Sequence, residues 1–158
     1  LAYHRGAGRR MILLVSACLL GLPCRYDGQS KPVPFIMALS QHHTLIPVCP
    51  EQLGGRPTPR PPVEIHQGRV IEQNGADHTE AFLLGARLTV QIARLTKAQG
   101  AILKSKSPSC GLNARYDGTF TRHLIPESGL AAQALQQAGI LVYSEDQLEK
   151  GGAQCFPI

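Results

Sequence analysis

Short apolar runs alternate with helical patterns along the chain, and this alternation limits the fold more than any other feature of the sequence. Four runs, bounded by residues that favour loops, have the length of buried strands: 11–17, 44–48, 101–103 and 139–143. Helical patterns cover 34–41, 79–98 and 128–138, and Gly100 and Gly139 are expected to end the last two. Strands that alternate with helices predict an α/β fold: an open, mainly parallel, Rossmann-like sheet flanked by helices, with right-handed crossovers.

A proline-rich segment at 50–74 interrupts this alternation. Its prolines at positions 57, 59, 61 and 62 do not suit a helix interior and cannot donate to a strand ladder. We therefore predict an ordered loop or a small hairpin insert, with its turn at Gly68. The length of 158 residues suits one domain, which we assign to 11–158.

The first ten residues are set apart by their charge. Arg5, Arg9 and Arg10 supply much of the net charge of +5 without any apolar periodicity, so we predict a flexible basic leader at 1–10. The apolar stretch at 11–22 is shorter than the roughly 20 residues of a transmembrane helix. An odd total of five cysteines argues against a complete disulfide framework, and we therefore predict a reducing, cytoplasmic location.

Three of the cysteines follow predicted strands. Cys18 and Cys49 come directly after the first and second runs, and Cys110 lies in the loop after the third. Ligand sites in open parallel sheets form where the carboxyl ends of the strands meet, so we expect the three thiols to converge. The spacing leaves three interpretations open: an iron–sulfur cluster, a zinc site or thiol enzyme, and unligated core cysteines. The absence of a Cys-x-x-Cys pair disfavours structural zinc.

The sequence words around the cysteines narrow this choice. They are SACLLG at 16–21, CRYDG at 24–28, PVCPEQLGG at 47–55, PTPR at 57–60 and KSKSPSCG at 104–111. Together they resemble the TudS-like thiouracil desulfurase family over about residues 12–145. The resemblance implies a 4Fe-4S cluster held by three cysteines, at positions matched by Cys18, Cys49 and Cys110, with Cys24 as a candidate fourth or substitute ligand.

The resemblance also implies a reaction. The open iron would bind the sulfur of a thiolated pyrimidine, such as thiouracil, thiouridine or its monophosphate, and the C=S group would become C=O with release of sulfide. Glu51 matches a catalytic glutamate that acts as a base, and Ser107 matches a serine that transfers a proton. Alternatively, Glu51 caps the following turn or pairs with Arg56 or Arg60. The residues that we expect to contact the substrate are Arg25, Tyr26, Asp27, Lys104 and Ser109.

Two further expectations concern the remaining side chains near the cysteines. Ser105, Ser107 and Ser109 alternate in sequence, so an extended loop would place them together on one face. Cys155 lies outside every one of the quoted words and is expected to be structural or exposed.

Other classes of function stay open. Basic residues outnumber acidic ones, and Arg56, Arg60 and Arg69 lie in the insert. This excess of positive charge suggests a nucleotide- or RNA-binding module. Four Phe and four Tyr, with no Trp, provide poor support for a base-stacking platform, and we expect neither a stable nucleic-acid partner nor a membrane. A cluster protein in sulfur traffic, without hydrolytic activity, is the third reading.

Overall fold

The central sheet has four parallel strands, β1 (Ile12–Ser16), β2 (Thr44–Val48), β5 (Gly100–Leu103) and β8 (Leu141–Ser144). Their order across the sheet is β2-β1-β5-β8. The computed structural model describes residues 8–151, so Cys155 and most of the predicted basic leader lie outside the described residues. Leu13 pairs with Leu45 on one side and with Gly100 on the other, which fixes the register of the central strand. The predicted open parallel α/β sheet is confirmed.

Both faces of the sheet are covered at its centre, which explains why the central strands β1 and β5 are almost continuously apolar. Leu13 and Val15 face a layer that contains Ile36 of α1 (Pro34–Ala38) and Leu148 of α5 (Glu145–Gly151). Leu14 faces the opposite layer, which is formed by α3 (Thr79–Thr96) and α4 (Leu130–Gln137). Among residues 8–151, no helix is both long enough and apolar enough to cross a membrane.

The helix ends differ from the sequence prediction in one respect. A single 3-10 turn, Leu39–Gln41, extends α1 across most of the predicted 34–41 segment. The helix α3 ends at Lys97, which takes the left-handed conformation with a φ of 56°, so the prediction that Gly100 closes this helix is wrong. Gly100 opens β5 instead, where a side chain would press on Leu13 and on the backbone of Leu141. Gly139, with a φ of 83°, follows α4 as predicted.

The insert contains the predicted hairpin and one short helix. Strands β3 (Val63–His66) and β4 (Arg69–Glu72) pair antiparallel around Gln67 and Gly68, both of which have positive φ values. The helix α2 (Pro50–Leu53) precedes the prolines and begins with Pro50, a position where the missing N–H costs nothing. A second ribbon, β6 (Arg115–Tyr116) with β7 (Leu124–Ile125), was not predicted.

The helix α2 lies against α3 at a backbone-to-backbone contact. A Cβ atom on Gly85 would stand 1.9 Å from the carbonyl oxygen of Pro50, and one on Gly54 would stand 2.0 Å from that of Ala81. Only glycine fits at either position. This contact fixes the place of α2, which follows directly after Cys49.

Candidate functional site

Four cysteines lie at the carboxyl edge of the parallel sheet. Cys18 is in the 3-10 turn Ala17–Leu20 after β1, Cys49 is the residue between β2 and α2, and Cys110 is in the loop after β5. Cys24 lies in the loop that follows the Ala17–Leu20 turn, and it reaches the same edge of the sheet. Three are buried and Cys49 is half-buried, and within the described chain none of the four forms a disulfide.

The thiols interact with one another. Cys24 lies within hydrogen-bonding reach of the thiols of Cys18 and Cys49, and the Sγ atom of Cys49 is 3.8 Å from the carbonyl oxygen of Cys24. The neighbouring Cys18 thiol raises the pKa of Cys24 above its ordinary value, and contact with Cys24 together with burial raises the pKa of Cys49. With their pKa values raised, the thiols of Cys24 and Cys49 hold their protons at neutral pH, and a metal-containing group that bound them would take the place of those protons.

Cys110 is buried, as Cys18 and Cys24 are. Burial, opposed by hydrogen bonding with Ser16 and reinforced by the charge of Glu51, raises the pKa of Cys110 to about 12. Ser16, only 3% exposed, also accepts a hydrogen bond from the backbone N–H of Lys104 at 2.9 Å. The sequence reasoning missed Ser16 as a site residue, although a polar residue at the end of an apolar run was a visible signal.

Ser107 and Cys110 belong to one tight turn. The Oγ atom of Ser107 accepts the backbone N–H groups of Ser109 at 3.1 Å and of Cys110 at 3.0 Å. Ser107 is also a hydrogen-bonding partner of the Cys110 thiol. The structure thus brings Ser107 beside one of the predicted cluster ligands.

Glu51 lies in the first turn of α2 and is close enough to Cys49 and Cys110 for its charge to act on both. Its Oε1 atom is 2.9 Å from Nε of Arg60, so the alternative pairing with Arg60 is present in the structure. Arg56 pairs instead with Glu72, at 3.6 Å.

The residues predicted to contact substrate fall into two groups. Arg25, Tyr26 and Asp27 form a turn beside Cys24, in which Arg25 pairs with Asp27 at 3.3 Å and its guanidinium lies 5.7 Å from the centre of the Tyr26 ring. Asp27 also accepts the backbone N–H of Gln29 at 3.0 Å. Tyr26 is 43% exposed, so this turn forms an accessible part of the site's surroundings.

Lys104 and Ser109 have structural partners. The Nζ atom of Lys104 is 3.0 Å from Glu145, and the Ser109 carbonyl accepts backbone N–H groups of Ala131 and Ala132 at the start of α4. Ser109 is 2% exposed.

The three alternating serines do not share one face, so that prediction is wrong. Ser105 turns to Glu145, with its hydroxyl donating at 2.7 Å, whereas the Ser107 hydroxyl lies in its own turn next to Cys110. The cause is Lys106, whose φ of 63° breaks the extended backbone that alternation requires.

The donor set indicates which group the site suits. Four converging thiols, with serine hydroxyls beside them, are the ligands and hydrogen-bond donors that iron–sulfur clusters use. No three His, Cys, Asp or Glu side chains among residues 8–151 are arranged to hold a single metal ion. By the chemistry of its donors, thiols with serine hydroxyls beside them, the site fits an iron–sulfur cluster.

Comparisons with known proteins point in the same direction. A family model described as 2-thiouracil desulfurase matches residues 13–147. An uncharacterized protein from Bacillus subtilis (strain 168), YbbK, is 40% identical over 147 residues, which cover 87% of this chain and 97% of that protein. A solved structure described as the [4Fe-4S]-dependent thiouracil desulfidase TudS is also 40% identical, with a TM-score of 0.82 over 90% of this chain and 95% of its own.

Proposed function

The chain belongs to the 2-thiouracil desulfurase family, and from this premise we propose that it replaces the thiocarbonyl sulfur of a thiolated pyrimidine with oxygen and depends on a 4Fe-4S cluster. The single observation that carries the proposal is the convergence of buried thiols from separate loops at the carboxyl edge of the sheet. The balanced reaction is C=S plus water to C=O plus hydrogen sulfide.

Cys18, Cys49 and Cys110 would hold the cluster, and Cys24 is the candidate for a fourth or substitute ligand because it contacts two of the other thiols. When bound through three cysteines, such a cluster supplies one iron with an open position, a Lewis acid with affinity for the substrate sulfur. The thiol of Cys110 already has hydrogen-bonding partners in Ser16 and Ser107, and such contacts tune a bound cluster.

Glu51 would be the general base that takes a proton from the attacking water. Arg60 engages its Oε1 atom, which leaves Oε2 for the water. A carboxylate held by a guanidinium on one oxygen is fixed in direction, and fixed direction is what a base requires. The ion pair with Arg60 is thus compatible with the catalytic role and orients it.

Ser107 would donate a proton on the sulfur side. Its Oγ atom accepts two backbone N–H groups, at 3.0 and 3.1 Å, and this use of its lone pairs leaves its own hydrogen as the one it donates, on the side of the Cys110 thiol. The departing sulfur needs a proton to leave as hydrogen sulfide. Ser107 is suited to deliver it from a position beside Cys110.

Substrate contacts are proposed for Arg25, Tyr26, Asp27, Lys104 and Ser109. The accessible turn at 25–27 is the best placed of these to contact a pyrimidine base, nucleoside or nucleotide. Lys104 and Ser109 would contribute from within existing hydrogen-bond networks. A small thiolated pyrimidine, with no stable nucleic-acid partner and no membrane, is the proposed partner, and the free thiols suit the reducing cytoplasm.

Anaerobic reconstitution with iron and sulfide tests the proposal. We expect cluster absorbance, together with sulfide release from thiouracil, thiouridine or its monophosphate. Changing Cys18, Cys49 or Cys110 singly to Ala should abolish the absorbance, whereas Cys24→Ala decides whether Cys24 is a ligand. A loaded cluster that releases no sulfide from any of these compounds would favour a sulfur-traffic protein. Salt-dependent RNA binding would favour a nucleic-acid module.

The base assignment has its own test. Glu51→Gln should retain the cluster and lower the rate of sulfide release by about 10²- to 10⁴-fold, the usual contribution of a general base. The matched control is Glu80→Gln, which removes an exposed first-turn carboxylate from α3 and should leave the rate unchanged. A Glu51→Gln enzyme as fast as the unmodified protein would show that another group activates water.

A further inference from the structure

Arg60 is a buried arginine in the proline-rich segment, and every contact of its guanidinium serves the surroundings of the site. Its side chain is 4% exposed. Nε donates to Oε1 of Glu51 at 2.9 Å, and Nη2 donates to the carbonyl oxygen of Cys24 at 2.9 Å. Nη1 donates to the carbonyl oxygen of Pro57 at 3.1 Å and to Oγ1 of Thr58 at 3.0 Å.

The positive charge of Arg60 is buried, and contacts with the guanidinium must compensate the cost of removing it from water. An unpaired cation inside a protein is costly, and a guanidinium becomes tolerable there only when its donors are used. The five N–H groups of arginine form a rigid planar fork, so four acceptors fixed around it are fixed relative to one another. Through this fork Arg60 joins Glu51 on α2 to the loop that carries Cys24.

The backbone of Arg60 strengthens the same connection. Its N–H donates to the carbonyl oxygen of Tyr26 at 2.8 Å, within the turn that we propose for substrate contact. Arg60 therefore contacts three parts of the proposed site: the base, the Cys24 loop and the 25–27 turn.

We propose that Arg60 is a positioning residue of this enzyme, which aims the second carboxylate oxygen of Glu51 at the attacking water. The inference rests on the proposed function, because it assumes that Glu51 acts on the substrate. Arg60 itself touches neither the substrate nor the cluster in this assignment. It acts through the carboxylate that it holds.

Arg56 provides a matched control from the same segment. It is also an arginine of low exposure, at 14%, and it also pairs with a carboxylate, Glu72 at 3.6 Å. Glu72 belongs to β4 of the hairpin and is not a residue of the proposed site. Arg56→Lys therefore tests what the loss of a paired guanidinium does when the carboxylate of Glu51 keeps its own partner.

The experiment is a double-mutant cycle between Arg60→Lys and Glu51→Gln in the reconstituted protein. Lysine keeps the positive charge of arginine but lacks its rigid planar set of N–H donors. Arg60→Lys alone should retain the iron content and the thiouracil dissociation constant, measured from the change in cluster absorbance. It should lower kcat by about 100-fold, as expected when a catalytic group is misplaced by about 1 Å.

In the Glu51→Gln background, Arg60→Lys should change kcat by less than about twofold, because its effect passes through the missing carboxylate. Arg56→Lys should leave kcat unchanged in both backgrounds. If the losses of Arg60→Lys and Glu51→Gln multiply instead, Arg60 does not act through Glu51 and the proposal is wrong. If the unmodified protein releases no sulfide at all, the proposed function itself has failed.

A second variant keeps the proposal testable if Arg60→Lys does not fold. Thr58→Val removes an acceptor that Nη1 of Arg60 shares with Nε2 of Gln52, and it leaves the guanidinium in place. Through the hydrogen bond that Arg60 loses, it should lower kcat about fivefold, and only where Glu51 is present. An equal fivefold loss in the Glu51→Gln background would overturn the positioning role.

Discussion

Gly85→Ala tests whether the contact between α2 and α3 determines the geometry of the site. The added Cβ would stand 1.9 Å from the carbonyl oxygen of Pro50 and 2.9 Å from its carbonyl carbon. Carbon and oxygen atoms in proteins normally approach no closer than about 3.3 Å, so α2 and α3 must separate by about 1 Å or more. Pro50 immediately precedes Glu51, and the displacement therefore reaches the proposed base.

The size of the effect follows from two opposing contributions. Alanine is about 1 kcal/mol more favourable than glycine in a helix interior, which favours the variant. Overpacking usually costs about 1–3 kcal/mol, and this contact lies at the upper end because it is made by backbone, which cannot rotate away. We expect a net loss of about 2 kcal/mol, equivalent to a melting temperature about 4–8 °C lower for a chain of this size.

Thermal unfolding of the reconstituted protein under anaerobic conditions measures this loss, and sulfide release measures its functional consequence. A base displaced by about 1 Å should lower kcat by about 100-fold. Arg87→Ala, at an exposed position of the same helix, is the control and should change stability by less than about 0.5 kcal/mol. A Gly85→Ala protein with the original melting temperature and rate would refute the reasoning.

Two further predictions concern single polar side chains. Ser16→Ala leaves the part-buried backbone N–H of Lys104 without its acceptor and removes one of the two serine partners of Cys110. It should cost about 1 kcal/mol and accelerate iron loss to a chelator, whereas Ser40→Ala, at an exposed position, should do neither. Hydrogen bonds from Thr79 and the nearby Arg69 lower the pKa of Asp77 to about 2, from 3.8. Because the folded pKa is the lower one, the stabilisation is present above pH 4 and is lost between pH 4 and pH 2. Urea unfolding should therefore show Asp77→Asn to be less stable than the unmodified protein at pH 7 and equal to it near pH 2, and a gap that is constant with pH would contradict this assignment.

The centre of the sheet was predictable from the sequence because β1 and β5 are buried on both faces. Such strands must be continuously apolar, and the runs at 11–17 and 101–103 show it. The ribbon of β6 and β7 has two residues in each strand, too few for any periodicity. The end of α3 was misplaced because Lys97 adopts a left-handed conformation that glycine usually occupies.

A rule of topology predicts that the cysteines converge. No such rule predicts which groups the other residues of the site contact. Parallel strands bring the loops after β1, β2 and β5 to one edge whatever their separation in sequence. The acceptors around the guanidinium of Arg60 depend on how the proline-rich segment folds back. The local sequence pattern does not encode that path. The same limit applies to Ser16, whose contact with the Cys110 loop is a tertiary one.

The order of strands in the sheet has a consequence for how the protein is made. The hydrogen bond between Lys104 and Ser16 spans 88 positions of sequence, and β5 reaches its place beside β1 only after the entire insert and α3 have been synthesised. A nascent chain that ends before β5 therefore presents Cys18, Cys24 and Cys49 without Cys110 and without the neighbour that closes the edge of β1. Such non-local pairing forms slowly, and the set of four thiols is complete only after β5 and the loop that carries Cys110 have been synthesised.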